Sequence, residues 1–374
     1  MSIGAQVRTG AELRQVVREL TEEWLAAGRY VPRSDCWLRS FDLEFSRELA
    51  RRGLIGLTWP REFGGAGLDA RSRLAVTEEL LRAGAPVAAH WIGDRQIGPA
   101  ILRYGSPELQ RELLPGIIRA EYIFCLGMSE PEAGSDLAAV RTSAVKVDGG
   151  WRVTGRKTWT SQGHHATHAY LLARTDSSGR KHEGLSEFIV DMSSEGVQVS
   201  PIWDMSGEHH FNEVLFTDVF VPDNRLIGQV GNGWRQVTEQ LSFERGGPER
   251  VLSTYPLLRE VIQQLRDADE HRFDAELGDM VARLSVLRRQ CWEIAEAMDE
   301  GRAPITEAAT LKYLGTRFEV DVIEFARRTG FAVVQGEPLA QALCAAPGFS
   351  IRGGSSDVLL SIVAKNEIRS LTAS

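Results

Sequence analysis

The amino-acid sequence predicts an α+β protein in which an all-β segment lies between two helical regions. Three observations carry this. Apolar residues recur at helical spacing through residues 1–122, short alternating stretches bounded by turn residues fill 123–232, and long amphipathic patterns return over 233–374. Those bounds define an N-terminal α-helical domain, a middle β domain with the strand pattern of a small barrel or sandwich, and a C-terminal helical bundle. A chain of 374 residues is long enough for two or three domains with well-buried cores.

In the first region, "AELRQVVRELTEEWLAA" has apolar residues on one helical face and charges on the other, and "FSRELARRGLIGL" and "SRLAVTEELLRAG" repeat the pattern. Between them "TWPREFGGAGLD" is an irregular turn marked by Pro60, Gly64, Gly65 and Gly67. "SPELQRELLPGIIRAE" is a further short helix with Ser106 as its N-cap and Glu108 close behind. In the second region "TSAVKVDGGWRVTGRKTWTS" reads as a hairpin around a Gly-Gly turn. "HAYLLART", "SEFIVDM", "VQVSPI" and "EVLFTDVFVP" are further strands. The third region holds three long amphipathic stretches, then a glycine turn, "IRGGSSD", that runs into a last helix. The acidic stretches "RDADE" and "AEAMDEG" read as solvated faces.

Hydrophobic residues are 43% and charged residues 25%, an ordinary globular balance. The net charge of -8 argues against broad nucleic-acid binding, which needs a basic surface. Cys36, Cys125, Cys291 and Cys344 are scattered with no metal spacing, which favours free thiols in a reducing compartment. No signal peptide and no apolar run of membrane-spanning length is visible, so the expected location is cytoplasmic, with no membrane partner.

Two motifs carry chemistry. In "CLGMSEPEAGSDLAAVRTSA", Gly134, Ser135 and Asp136 form a tight polar turn that can aim backbone N–H groups and hydroxyls at a ligand, with Pro131 stiffening its entry; a plain surface loop is the simpler alternative. In "GRKTWTSQG", Trp159 and Ser161 stand two apart on a strand and so share a face. A flat apolar surface beside a hydroxyl suits a planar heteroaromatic ring, whereas a core tryptophan is the plainer reading. His164, His165 and His168 in "QGHHATH", like His209 and His210 in "GEHHF", lack the carboxylate or cysteine partners of a metal site, so no metal is expected.

Taken together, the domain order, "WPREFGGAG", "SEPEAGSD", "KTWTSQG" and the glycine turn before the last helix resemble the acyl-CoA dehydrogenase family over nearly the whole chain. The resemblance implies an N-terminal α domain, a middle β-barrel and a C-terminal four-helix bundle. It implies FAD between barrel and bundle, with an acyl-CoA or acyl-carrier-protein thioester against the flavin. An electron acceptor such as an electron-transfer flavoprotein goes with it. Carried over by matching positions, Leu126, Met128, Ser129 and Gly134 are cofactor contacts, Trp159 packs at the flavin ring, and Ser161 lies near its N5 atom. Ser135 is a contact shared with the thioester, Ser242 and Arg245 are substrate-side residues, and Ser355 to Asp357 match a run that meets the nucleotide half of FAD.

The chemistry of such a site needs a carboxylate to remove the α-proton of the thioester while a hydride leaves the β-carbon. Many family members carry that glutamate in the glycine turn, where this chain has Gly353. Members of the isovaleryl and long-chain type place it on a bundle helix just before an arginine, and the matching pair here is Glu244 and Arg245 in "FERG". Glu244 is therefore the expected base and Arg245 a site-organising residue, against the simpler view of a surface ion pair. Two family elements that reach the FAD of a neighbouring subunit are missing. "LLREVIQQLRDADEHRFD" contains no "R-x-x-F-G" run, and Gln335 and Gly336 are all that remains of a "Q-x-x-G-G" step. That asymmetry points to a paralogous partner chain; a homo-oligomer, a non-catalytic subunit, and other flavin chemistry (oxidase, N-hydroxylase or desulfinase) are the alternatives.

Overall fold

The computed structural model describes residues 9–331 and 337–373; the side chains of 241–244, 370 and 373, and the whole of 332–336 with Gln335 and Gly336, lie outside the described residues. The helices are α1 (Gly10–Ala26), α2 (Cys36–Arg39), α3 (Leu43–Arg51), α4 (Ala70–Arg82), α5 (Ala88–Ile92), α6 (Gly98–Tyr104), α7 (Pro107–Ile118), α8 (Gly233–Glu244), α9 (Tyr255–Asp267), α10 (Asp274–Asp299), α11 (Ile305–Arg328), α12 (Pro338–Phe349) and α13 (Ser356–Ala373). The strands are β1 (Phe124–Gly127), β2 (Ser143–Val147), β3 (Gly150–Ser161), β4 (His168–Arg174), β5 (Leu185–Asp191), β6 (Val197–Ile202), β7 (Phe211–Pro222) and β8 (Leu226–Ile227). Helical N- and C-terminal regions thus flank a central sheet, as the patterning predicts. The chain divides into two compact units, one drawn from 1–37, 67–86 and 245–374, the other from 38–66 and 87–244.

Among the described residues of the first unit every named element is a helix. Helix α1 opens on a capping box: the Thr9 hydroxyl accepts from the Glu12 N–H at 3.3 Å, and the Glu12 carboxylate accepts from the Thr9 N–H at 2.6 Å. Its face of Leu13, Val17, Leu20 and Trp24 is buried at the spacing the sequence shows. The charges of "TEELLR" are a correction to the amphipathic picture. Glu78 and Glu79 of α4 are buried, and they hold Arg14 (2.5 Å) and Arg18 (2.7 Å) of α1 and Arg288 (3.0 Å) of α10. The carboxylates are tolerated inside because each has a guanidinium partner. Asp299, read as solvated, accepts from the Ala70 N–H at the start of α4 (2.5 Å). Helix α12 was not legible, because it is short and Gln341 is its one strongly polar side chain to mark an outer face.

The second unit is built on one eight-stranded sheet in the order β6-β7-β3-β2-β4-β5-β8, with β1 added in parallel to β4. The β2–β3 hairpin pairs Val147 with Gly150 across a turn in which Gly149 takes φ 71°. Cys125, Trp151, Val153, Leu171, Phe188 and Phe216, drawn from β1, β3, β4, β5 and β7, share one core, so the sheet coils on itself around them. Two elements the patterning did not predict, α5 and α6, run together through a π turn at Gly93–Ile97. Gly98 is required there, because a Cβ would meet the Trp59 ring at 1.9 Å.

His90 of α5 is buried beside the Ser46 hydroxyl (Nδ1 to Oγ, 2.9 Å), and burial pushes its pKa down to about 3. The unfolded chain therefore takes up the proton first. This contribution to stability is complete above the unfolded value near 6.5 and falls away as pH drops toward 3. Acidification from pH 7 to pH 4 should remove about 3 kcal/mol at this residue. Denaturant unfolding of the wild type and of His90→Asn at both pH values tests it. An acid loss in the variant equal to that of the wild type would place the effect elsewhere.

Candidate active site

The end of β1 and the end of β3 lie side by side. The Thr158 N–H donates to the Ser129 carbonyl at 2.9 Å. Beneath that contact Lys157, 0% exposed, donates its Nζ to the Met128 carbonyl and to Glu130 Oε1, each at 2.9 Å. Glu130 also accepts from the backbone N–H groups of Arg141 (2.7 Å) and Thr142 (2.8 Å). Burial works against its charge, yet Lys157 and those amides hold its pKa below the usual carboxylate range. Burial brings Lys157 down to about 8, so the pair is ionised at neutral pH. Lys157 and Glu130 thus clamp the backbone of 128–130, a role the sequence reading missed. The signal was present: Lys157 continues the inward face set by Trp151 and Val153, and a lysine facing a core needs a partner.

Directly after Lys157 the β3–β7 register slips between Lys157 and Thr160, and Trp159 adopts φ 57°. This bulge amends the simple alternation argument. Thr160 turns inward and is buried, Ser161 is half-buried, and the Trp159 indole is 58% exposed, edge-on to Phe211. Left-handed backbone at a tryptophan is strained, and such strain concentrates at functional sites. Leu126 and Met128 are partly buried against the core that contains Phe124 and Tyr170. Gly134 and Ser135 are exposed on the following loop, which Lys181 ties down through Asp136 at 2.8 Å.

The strand beyond Ser161 leads into the histidines. His165 stacks on Phe41, His164 on His209, and the two neighbours tilt together, each pair with ring centroids 4.0 Å apart. Burial, then the rings of His165 and His209, lowers His164 to about 4. The Asn212 Oδ1 accepts from His164 Nδ1 (3.2 Å) and from His209 Nε2 (2.7 Å), which makes those two ring nitrogens the protonated ones. Among the described residues no group of His, Cys, Asp or Glu is placed to hold a metal ion.

In the helical unit Arg245 is buried and its Nε donates to the Gly353 carbonyl at 2.9 Å. Gly353 has φ 68°, and a Cβ there would stand 2.9 Å from Nη2 of Arg250. That guanidinium is itself buried over the Trp37 ring at 5.1 Å. Arg352 lies over the same ring and pairs with Asp35 through two 2.6 Å bonds. The turn therefore presents only backbone at position 353. Ser355 is half-buried just before α13, and Asp357 is exposed in its first turn. Ser242 and Glu244 stand in the last turn of α8, and their side chains lie outside the described residues.

Three family models match in sequence order: acyl-CoA dehydrogenase N-terminal domain over residues 9–121, middle domain over 125–219 and C-terminal domain over 231–368. The chain belongs to the acyl-CoA dehydrogenase family. Among its relatives is acyl-CoA dehydrogenase FadE34 of Mycobacterium tuberculosis, 33% identical over 330 residues, a match covering 85% of this chain and 45% of that protein. The matches to the first curated relatives span between 45% and 59% of those proteins' lengths. Of solved structures, the Tcur3481-Tcur3483 steroid ACAD superposes with a TM-score of 0.84 at 26% identity, covering 97% of this chain and 99% of that one. The ChsE4-ChsE5 complex from Mycobacterium tuberculosis gives 0.80 at 28% identity, covering 97% of each.

Acyl-CoA dehydrogenases use FAD, and the sheet of this member fits a flavin ring. An exposed indole is held outward by a bulge, and beside it the Ser129 and Ser161 hydroxyls make no hydrogen bond to any other described residue. The backbone of 126–129 lies alongside, fixed from below by Lys157. The fold thus brings Met128, Ser129, Trp159 and Ser161 together in one unit, and Arg245 together with the Gly353 turn in the other.

Proposed function

We propose that this chain is the flavin-holding catalytic subunit of an acyl-CoA dehydrogenase that converts an acyl-CoA to its α,β-unsaturated thioester. Glu244 takes the α-proton, and the β-hydrogen departs as hydride, so one C–H pair is exchanged for one C=C bond. FAD, when bound, is the hydride acceptor. Trp159 offers its exposed ring to the flavin, Ser161 and Ser129 offer hydroxyl donors, and Leu126, Met128 and Gly134 line the approach. Ser135 and Ser242 are assigned to the thioester, and Ser355 and Asp357 to the nucleotide half. Arg245 is the site-organising residue, and it donates to the Gly353 carbonyl of the glycine turn. The observation that carries the reading is Gly353: the usual base position is a glycine in left-handed backbone, with the Arg250 guanidinium where a side chain would begin. That directs the role to position 244, the alternative family position.

The absent "R-x-x-F-G" run supports assembly with a paralogous chain that completes the FAD phosphate contacts, and the similar solved structures named Tcur3481-Tcur3483 steroid ACAD and ChsE4-ChsE5 complex favour the same arrangement. A steroid-type acyl-CoA is accordingly the first thioester to try. The visible spectrum gives the test. Expressed alone, the chain should retain little FAD; co-expressed with its partner, about one flavin per pair, bleached anaerobically by a suitable acyl-CoA. A homo-oligomer with one tightly held FAD per chain would overturn the assembly. Bound flavin that no acyl-CoA reduces would overturn the activity.

A further inference from the structure

The helix that carries position 244 is tied to the sheet by a buried carboxylate. Glu187 of β5 is 0% exposed. Its Oε2 accepts from the Tyr170 hydroxyl of β4 at 2.8 Å, from Gln236 Nε2 of α8 at 2.7 Å and from Gln240 Nε2 of α8 at 3.3 Å. Gln240 Nε2 also lies 2.7 Å from the Tyr170 hydroxyl, and Gln236 Nε2 also donates to the Ile227 carbonyl at 3.1 Å. Gln236 and Gln240 are one turn apart on one face of α8, and position 244 is one turn further. Burial raises Glu187 to about 7, against the three donors that favour its charge. The titratable groups facing it are Tyr170, pushed well above its ordinary value, and behind that Tyr104 of α6, which bonds Glu239 of α8 as Arg103 also does. An apolar pair would hold helix against sheet equally well. A carboxylate with two glutamine donors adds direction, because hydrogen bonds fix rotation and register where apolar contact does not.

We propose that Glu187, acting through Gln236 and Gln240, sets the register of α8 and so places Glu244 for proton abstraction. Glu187 is a positioning residue, and the proposal rests on the reading of Glu244 as the base. Protein purified with its partner is compared as wild type, Glu187→Leu and Glu187→Gln. Two readouts are taken: the limiting rate of anaerobic flavin reduction by acyl-CoA, and hydrogen exchange of the α8 amides, which needs no turnover. Glu187→Leu should slow reduction about 10- to 100-fold, the scale of an ångström-size misplacement. Thioester affinity should stay within about threefold, and α8 amides should exchange about tenfold faster once the anchor is gone. Glu187→Gln keeps an acceptor for the helix amides, so it should recover most of the rate. Wild-type rate and wild-type exchange in Glu187→Leu would overturn the proposal. So would equal slowing in Leu and Gln variants with parallel loss of flavin, the mark of a merely structural group. Wild-type reduction by Glu244→Gln is the separate failure of the base reading; it removes the catalytic consequence, and α8 exchange then decides the anchoring alone.

Discussion

Glu244→Gln should slow anaerobic flavin reduction by about two to four orders of magnitude, the usual worth of a general base. Glutamine keeps the size and polarity of the side chain and loses only its basicity. FAD content and thioester affinity should therefore stay near wild type, which separates loss of the base from loss of the site. Stopped-flow absorbance at the flavin band measures the step directly. Moving the carboxylate to the other family position should not restore the reaction here. In a Glu244→Gln, Gly353→Glu double variant the new side chain begins at φ 68° with its Cβ 2.9 Å from Arg250 Nη2. The backbone strain alone is about 1–3 kcal/mol, and either the buried Arg250 side chain or the turn must shift to admit the new Cβ. Recovery of wild-type reduction by the double variant would show that the turn is free to rearrange. Reduction by Glu244→Gln at the wild-type rate would make Glu244 an ordinary helix-end charge.

The second large effect is structural. Lys157→Met leaves the Glu130 carboxylate buried with its two backbone donors and no cation. Breaking a buried pair from one side is worth about 3–5 kcal/mol. The Met128 carbonyl loses its Nζ donor in the same step, so the 126–129 backbone that is proposed to face the flavin loosens. Thermal unfolding should move down by about 10 °C, with FAD occupancy falling in parallel. Pairing the change with Glu130→Gln should return more than half of the loss, because no charge is then stranded. A single variant as stable as the wild type, or a double variant no better than the single, would show that the pair does not hold this segment.

The two halves of the candidate site differ in how far they were legible. "CLGMSEPEAGSD" and "KTWTSQG" marked Met128, Ser129, Trp159 and Ser161 by motif, and the structure brings them together where the segment after β1 bonds to β3 at Thr158. The bulge at Trp159 was not legible, since it is a slip in pairing with β7 and exists only once β7 is beside β3. The pairing of the Arg245 Nε with the Gly353 carbonyl joins residues 108 positions apart, beyond any local pattern. Glu78 and Glu79 looked like solvent-facing charges because helical spacing reports one buried stripe. Their other neighbours come from α1 and α10.

The amino-acid sequence by itself determined the succession of helical, β and helical regions, the Ser106 cap, the β2–β3 hairpin and the family. Each depends on residues within a few positions of one another or on motif letters, and so survives reading in one dimension. Tertiary structure decided which charges are buried and what they hold. Lys157 finds Glu130 across 27 residues, Glu187 finds Gln236 across 49, and Arg250 comes to lie against Gly353. A charge is admitted to an interior only where a partner arrives from elsewhere in the chain, since desolvation is unfavourable until the hydrogen bonds and opposite charge are in place. That condition is met by the fold and by no local stretch of sequence.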